Sequence, residues 1–93
     1  MKILNELEEI ITCRKVAKND ESYTFRLLKN KTLASRKVSE EAYEVCEAAL
    51  LNDRKSLVEE SADLLYHLIV LLAQKEIRFD EVLKVLKERR EQS

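Results

Sequence analysis

The sequence predicts an all-α protein: a bundle of about five helices in one domain spanning residues 1–93, completed by a second copy of the chain. Three observations predict it. Apolar residues recur at three- and four-residue intervals from end to end, and no stretch alternates with the period of two that marks a strand. Glycine and proline are both absent, so only short polar breaks interrupt the helical pattern. Finally, Leu57, Leu64, Leu65, Leu68, Ile69, Val70, Leu71 and Leu72 cover nearly the whole circumference of their helix at about 100° per residue. A helix apolar all round must be buried, and four short neighbours offer too little surface to bury it.

The first helix is expected over residues 3–17, with Ile3, Leu7, Ile10 and Ile11 on one face. The polar stretch Lys18-Asn19-Asp20-Glu21-Ser22 ends it. Ser22 or Asp20 then supplies the side-chain oxygen that caps a short helix running to Lys29. A second break, Asn30-Lys31-Thr32, precedes a long third helix to Leu51, with Thr32 as the expected cap and Ala34, Val38, Val45 and Ala49 facing inward. Asn52-Asp53 is the turn, and one of the two caps a fourth helix that ends near Lys75. Asp80 or the preceding Phe79 opens the last helix, whose end is charged.

Composition excludes several function classes. A net charge of -1 exerts no overall pull toward nucleic acid or an anionic membrane. The apolar run at residues 64–73 is interrupted by His67 and is too short to span a bilayer. Met1-Lys2-Ile3-Leu4-Asn5-Glu6 carries no apolar core of a secretory signal, so a cytoplasmic protein is the expectation. Cys13 and Cys46 lack metal-type spacing and read as ordinary reduced thiols. The Walker loop, the dinucleotide fingerprint and the nucleophile elbow all need glycine, and none is present. Any phosphate chemistry must rest on side chains, metal or helix N-termini.

Four carboxylates stand out against this background. Glu41 and Glu44 on the third helix, and Glu60 and Asp63 on the fourth, are each spaced i, i+3, so both members of a pair point the same way. Glu44 and Glu60 lie about equally far from the Asn52-Asp53 turn, which at 1.5 Å per residue puts them level; Glu41 and Asp63 match one turn further along. Glu41 falls between Val38 and Val45 on the inward arc, whereas Glu40 and Glu47 point outward. Acids on apolar faces cost stability unless paired, and a hard divalent cation with oxygen ligands is the natural partner. A di-iron reading fails, because the single histidine, His67, is not in a Glu-x-x-His motif.

Glu40-Glu41-Ala42-Tyr43-Glu44 and Glu60-Ser61-Ala62-Asp63 resemble the metal-binding signature of the MazG-like all-α nucleotide pyrophosphohydrolases. Ser22-Tyr23-Thr24 with Leu27-Leu28, Lys37-Val38-Ser39-Glu40-Glu41, and the run from Ala62-Asp63-Leu64-Leu65-Tyr66-His67 to Leu72 resemble, more narrowly, the phosphoribosyl-ATP pyrophosphatase branch, which acts in histidine biosynthesis. Ser39 and Asn30 stand where that family is expected to have glycine. The resemblance implies Mg²⁺-dependent hydrolysis of 1-(5-phosphoribosyl)-ATP to 1-(5-phosphoribosyl)-AMP and pyrophosphate. It implies metal ligation by Glu41, Glu44, Glu60 and Asp63, and a catalytic set of Glu40, Glu41 and Glu44 in which Glu40 or Glu44 is the candidate proton acceptor. Lys37 and Arg36, with Lys31 or Arg26, are the candidate triphosphate cations. Tyr23 is a candidate for stacking on the base or packing at a dimer seam; Tyr66 is expected in the core, and His67 either in the core or near the site. The expected partners are a nucleotide substrate, a second copy of the chain and, along the pathway, phosphoribosyl-AMP cyclohydrolase. Two alternatives stay open: a nucleotide-pool-cleaning (d)NTP pyrophosphohydrolase on the same fold, and a non-catalytic helical dimerisation module.

Overall fold

The computed structural model describes residues 2–17 and 22–92. They form α1 (Lys2–Val16), α2 (Tyr23–Lys29), α3 (Leu33–Leu50), α4 (Arg54–Gln74) and α5 (Phe79–Gln92). No strand occurs among the described residues, as the all-α expectation requires. Asp20, one of the two expected caps of α2, lies outside the described residues; the other, Ser22, accepts from the Phe25 amide at 3.1 Å and is the cap. Asp53, not Asn52, caps α4 by accepting from the Ser56 amide and hydroxyl.

Thr32 occupies the cap position of α3, but its side chain makes no capping bond. Its backbone is already helical (φ -110°, ψ -19°), which takes its hydroxyl away from the first-turn amides. Asn30 does the work instead: its Oδ1 accepts from the Thr32 and Leu33 amides and from the Thr32 hydroxyl. An asparagine at a place expected to hold glycine is therefore the working cap of the next helix.

Without glycine, two helices still end in the left-handed turn that usually requires it. At the end of α3, Asn52 has φ 56°, its amide reaches the Ala49 carbonyl, and the Asp53 amide reaches Ala48. At the end of α4, Glu76 has φ 59°, its amide reaches Ala73, and the Ile77 amide reaches Leu72. Both are Schellman turns, which satisfy carbonyls the helix leaves unpaired. Asparagine tolerates this backbone well; glutamate pays a steric penalty for it.

α3 and α4 form an antiparallel hairpin, and α1 and α2 pack over the half of it that is far from its turn. The core there is Ile11, Leu27, Ala34, Ile69, Val70 and Phe79, one or two residues from every helix. On α1 the inward stripe is Leu4, Leu7, Glu8 and Ile11; Ile3 and Ile10, expected inward, are exposed because the packed face is narrower than the apolar one. On α3 the stripe runs Ala34, Val38, Glu41, Val45 and Ala48, which places Ala48 inward rather than the expected Ala49. The far half of the hairpin projects beyond this core. The radius of gyration is accordingly 14.6 Å, against about 12 Å for a compact domain of this length. Tyr43, Leu50, Leu51, Val58 and Leu65 are exposed along the projection. No described helix is long and apolar enough to cross a membrane. Cys13 and Cys46 are free and exposed.

Candidate metal and phosphate site on the helical hairpin

The α3 stripe that packs on α4 carries Glu41 in the middle of its apolar neighbours, and the facing turn of α4 carries Glu60 and Asp63. One carboxylate oxygen from each of these three residues lies within 4.8 Å of the other two. Glu41 is only 9% exposed, and Glu60 is half-buried. Glu41 Oε2 and Glu60 Oε2 are buried and make no hydrogen bond. Buried carboxylate oxygens without a donor are rare and costly, so this arrangement lacks a positive partner.

Glu60 registers that deficit. Close approach of the Glu44 and then the Glu41 carboxyl, together with burial and the charges of both, pushes its pKa up to about 7. Glu44 is thus beside Glu60 but outside the group of three: three residues beyond Glu41 it has advanced about 4.5 Å along the helix axis, toward the turn. There it lines a cavity of about 360 Å³ with Glu47, Ala48, Leu51, Asp53, Ser56 and Glu60. Glu41 is the bridge, meeting both acids of α4, and Glu44 faces only the nearer one.

Glu40 lies on the outer side. Its carboxylate is 3.4 Å from Lys37 Nζ, an ion pair one turn apart, and that hydrogen bond holds the Lys37 ammonium above its usual pKa. Lys37 therefore stands at the rim, paired with Glu40 and within electrostatic reach of Glu41 and Tyr23. Arg36 is exposed and borders an open depression with Thr32, Ser35, Ser39 and Glu40. Ser39 is an ordinary exposed helical residue. Arg26 lies 6.0 Å from the centre of the Tyr23 ring, and Lys31 sits farther off with Leu28, Gln74 and Lys75.

α2 is fastened over this region by its two ends. At its start, the Tyr23 hydroxyl is 2.8 Å from His67 Nε2 and the Thr24 hydroxyl bonds that of Tyr66. Burial pushes the Tyr23 phenol above its usual pKa, against the opposing pull of Lys37. His67 is buried, and both of its ring nitrogens are engaged, so it is at once a satisfied core residue and a neighbour of the site. Tyr66 packs against the core as expected. At the other end of α2, the Gln74 amide donates to the carbonyls of Leu27, Leu28 and Asn30.

Sequence reasoning missed Gln74, and it missed Glu8. Glu8 is 3% exposed, accepts from the Phe79 amide at 2.6 Å and pairs with Arg78 at 3.0 Å. It thereby caps α5 from α1, while Glu81 reaches back to the Arg78 amide. Nothing local signals either residue; Glu8 shows itself only as a charge on an otherwise apolar stripe.

The Ser22-Tyr23-Thr24 and Tyr66-His67 segments thus touch residue to residue beside a converging set of acids. The phosphoribosyl-ATP pyrophosphohydrolase family model matches residues 4–90. The chain belongs to that family. Among relatives of the phosphoribosyl-ATP pyrophosphohydrolase family, it is 48% identical over 90 residues to the phosphoribosyl-ATP pyrophosphatase of Pyrobaculum arsenaticum, covering 96% of each chain. It is 44% identical over 91 residues to the one from Allorhizobium ampelinum, covering 97% of this chain and 88% of that one. The histidine biosynthesis bifunctional protein HisIE of Buchnera aphidicola is also 44% identical over 91 residues, but there the match spans 97% of this chain and only 44% of the relative. The chain thus spans under half the length of that bifunctional relative.

Proposed function

We propose that this member of the family hydrolyses 1-(5-phosphoribosyl)-ATP to 1-(5-phosphoribosyl)-AMP and pyrophosphate, with Mg²⁺ as its metal. The observation that carries the reading is the convergence of Glu41, Glu60 and Asp63, with two buried carboxylate oxygens lacking any donor. The donor set is entirely hard oxygen with no cysteine or imidazole, which suits Mg²⁺ and not zinc. Glu41, Glu60 and Asp63 would hold it, with Glu44 adding a ligand from the turn side. When bound, Mg²⁺ neutralises charge on the phosphate oxygens.

The remaining work falls to the chain itself. Water attacks phosphorus in the α–β anhydride, a new P–O bond forms, the bridging P–O bond breaks and pyrophosphate leaves. Glu44, beside the cavity, or Glu40 at the rim takes the proton of the attacking water. Lys37 and Arg36 receive the outer phosphates, and Lys37 is favoured by its place between Glu40 and Glu41. Tyr23 borders the nucleotide. A second copy of the chain covers Leu50, Leu51, Val58 and Leu65, apolar side chains that a single copy leaves exposed. We place the protein in the cytoplasm, with phosphoribosyl-AMP cyclohydrolase as its pathway partner.

The test is release of pyrophosphate from phosphoribosyl-ATP in a magnesium titration, with product analysis. Turnover of dNTPs instead would make this a nucleotide-cleaning enzyme, and indifference to magnesium would leave a dimerisation module.

A further inference from the structure

His67 Nδ1 lies 2.8 Å from the backbone carbonyl of Asp63. A carbonyl oxygen only accepts, so Nδ1 carries a hydrogen. In the neutral ring Nε2 is then a bare lone pair, and the Tyr23 hydroxyl, 2.8 Å away, must be its donor. Two edge-on aromatic contacts hold the imidazole plane: Tyr23 at 5.8 Å and Tyr66 at 5.1 Å between centroids. The Thr24–Tyr66 hydroxyl bond fixes the second of these from α2. The phenol of Tyr23 therefore has its proton turned inward, and its oxygen offers only lone pairs to whatever approaches; the residue as a whole is 39% exposed. A phosphate oxygen there would meet another acceptor and be repelled. A hydroxyl group would be received.

We propose that His67 is a positioning residue: locked as the Nδ1–H tautomer by the Asp63 carbonyl, it holds Tyr23 as an acceptor-only phenol at the rim of the carboxylate site, where Tyr23 receives a sugar hydroxyl of the nucleotide. The sugar assignment rests on the function proposed above; the tautomer and the direction of the Tyr23 bond do not. The same ring joins α2 to the turn of α4 that carries Asp63, so Tyr23 and that carboxylate are set in register by one side chain.

The sequence has a single histidine, so this chain labelled with ¹⁵N in histidine gives one imidazole. At pH 8 the expected spectrum has a protonated Nδ1 and an unprotonated Nε2, and Tyr23→Phe shifts Nε2 alone. An Nε2–H tautomer, or a freely averaging ring, overturns the inference. In kinetics, Tyr23→Phe removes one hydrogen bond to bound substrate and raises KM about fivefold to tenfold with kcat within about twofold. His67→Leu gives the same split, the double variant is no worse than either single one, and His67→Gln, whose amide oxygen accepts from the phenol, recovers most of the loss. Tyr23 is partly exposed, so Tyr23→Phe stays informative even if His67→Leu fails to fold; an unchanged KM there overturns the sugar contact. An unsubstituted protein that releases no pyrophosphate fails the functional proposal instead, and the imidazole spectrum of the same sample still decides the lock.

Discussion

Replacing Glu41 by glutamine keeps the shape of the side chain and removes one charge from a site where three acids lie within 4.8 Å. Glu60 shares a proton with its neighbours near neutrality, so the repulsion relieved is chiefly that with Asp63. For two unit charges at that separation it is about 1 kcal/mol in bulk water and about 3.5 kcal/mol at an effective dielectric of 20. Asp63 is exposed, which favours the lower figure. Metal-free Glu41→Gln should then melt about 4–8 °C above the unsubstituted protein at pH 6. Magnesium reverses the order. At about one hundred times its Kd the metal stabilises the unsubstituted protein by about 2.7 kcal/mol, and the variant, short of a ligand, gains little. Loss of pyrophosphate release should exceed about a hundredfold, because even residues that only support a metal ligand are worth 10–100-fold. Thermal melts with and without magnesium, beside a pyrophosphate assay, read all of this. A variant that melts lower without metal, or that keeps the full magnesium response, refutes the idea that these acids converge for a cation.

The other expectations concern pH, α2 and the end of α4. Folding raises the pKa of Glu60 from 4.5 to about 7, so in that window the folded state binds more protons than the unfolded one. Its contribution is complete below about pH 4.5 and lost as pH rises through 7. Metal-free protein should therefore melt progressively lower from pH 5 to pH 8, and Glu60→Gln should flatten the profile; a stability that rises over this range contradicts the coupling. Gln74→Leu removes the side-chain donor shared by the Leu27, Leu28 and Asn30 carbonyls, of which Leu27 keeps the Asn30 amide, and should cost about 1–3 kcal/mol in denaturant unfolding. A cost below about 0.5 kcal/mol would mean that water replaces the amide fully. Glu76→Gly removes the left-handed strain at φ 59° and should stabilise the protein by about 1 kcal/mol, measured by the same titration. A destabilised variant would show that its exposed contact with Lys15 outweighs the backbone.

The helices and the acid cluster were legible because both are written in local spacing. Apolar residues at i, i+3 and i+4 mark the buried stripes, and the position of Glu41 within such a stripe is readable without coordinates. Equal distance from the Asn52-Asp53 turn then carries Glu41 across to Asp63 and Glu44 to Glu60, whereas the structure also brings Glu60 to Glu41 and leaves Glu44 outside that group. The arc assignments that failed, Ile3, Ile10 and Ala49, lie at the edges of their stripes, where periodicity alone does not say which neighbour arrives. The fastenings that close the fold are of another kind. Glu8 to Phe79, Gln74 to Leu27 and Tyr23 to His67 join residues distant in sequence. A polar side chain gives no sign of which remote carbonyl or amide it will satisfy. Thr32 was a sound expectation by residue type, and Asn30 displaced it because it reaches two amides from one turn earlier.

α5 enters the core at its base. Phe79 enters the core and Glu8 grips its first amide, but every described residue of the helix beyond Leu83 faces solvent. Fourteen residues make a rod of about 20 Å, so a tilt of about 5° at the root displaces the tip by about 2 Å. The acid on α1 consequently acts as a fulcrum. Substitutions around it can re-aim a distant apolar edge, at Val85 and Leu86, without altering a single residue of that edge.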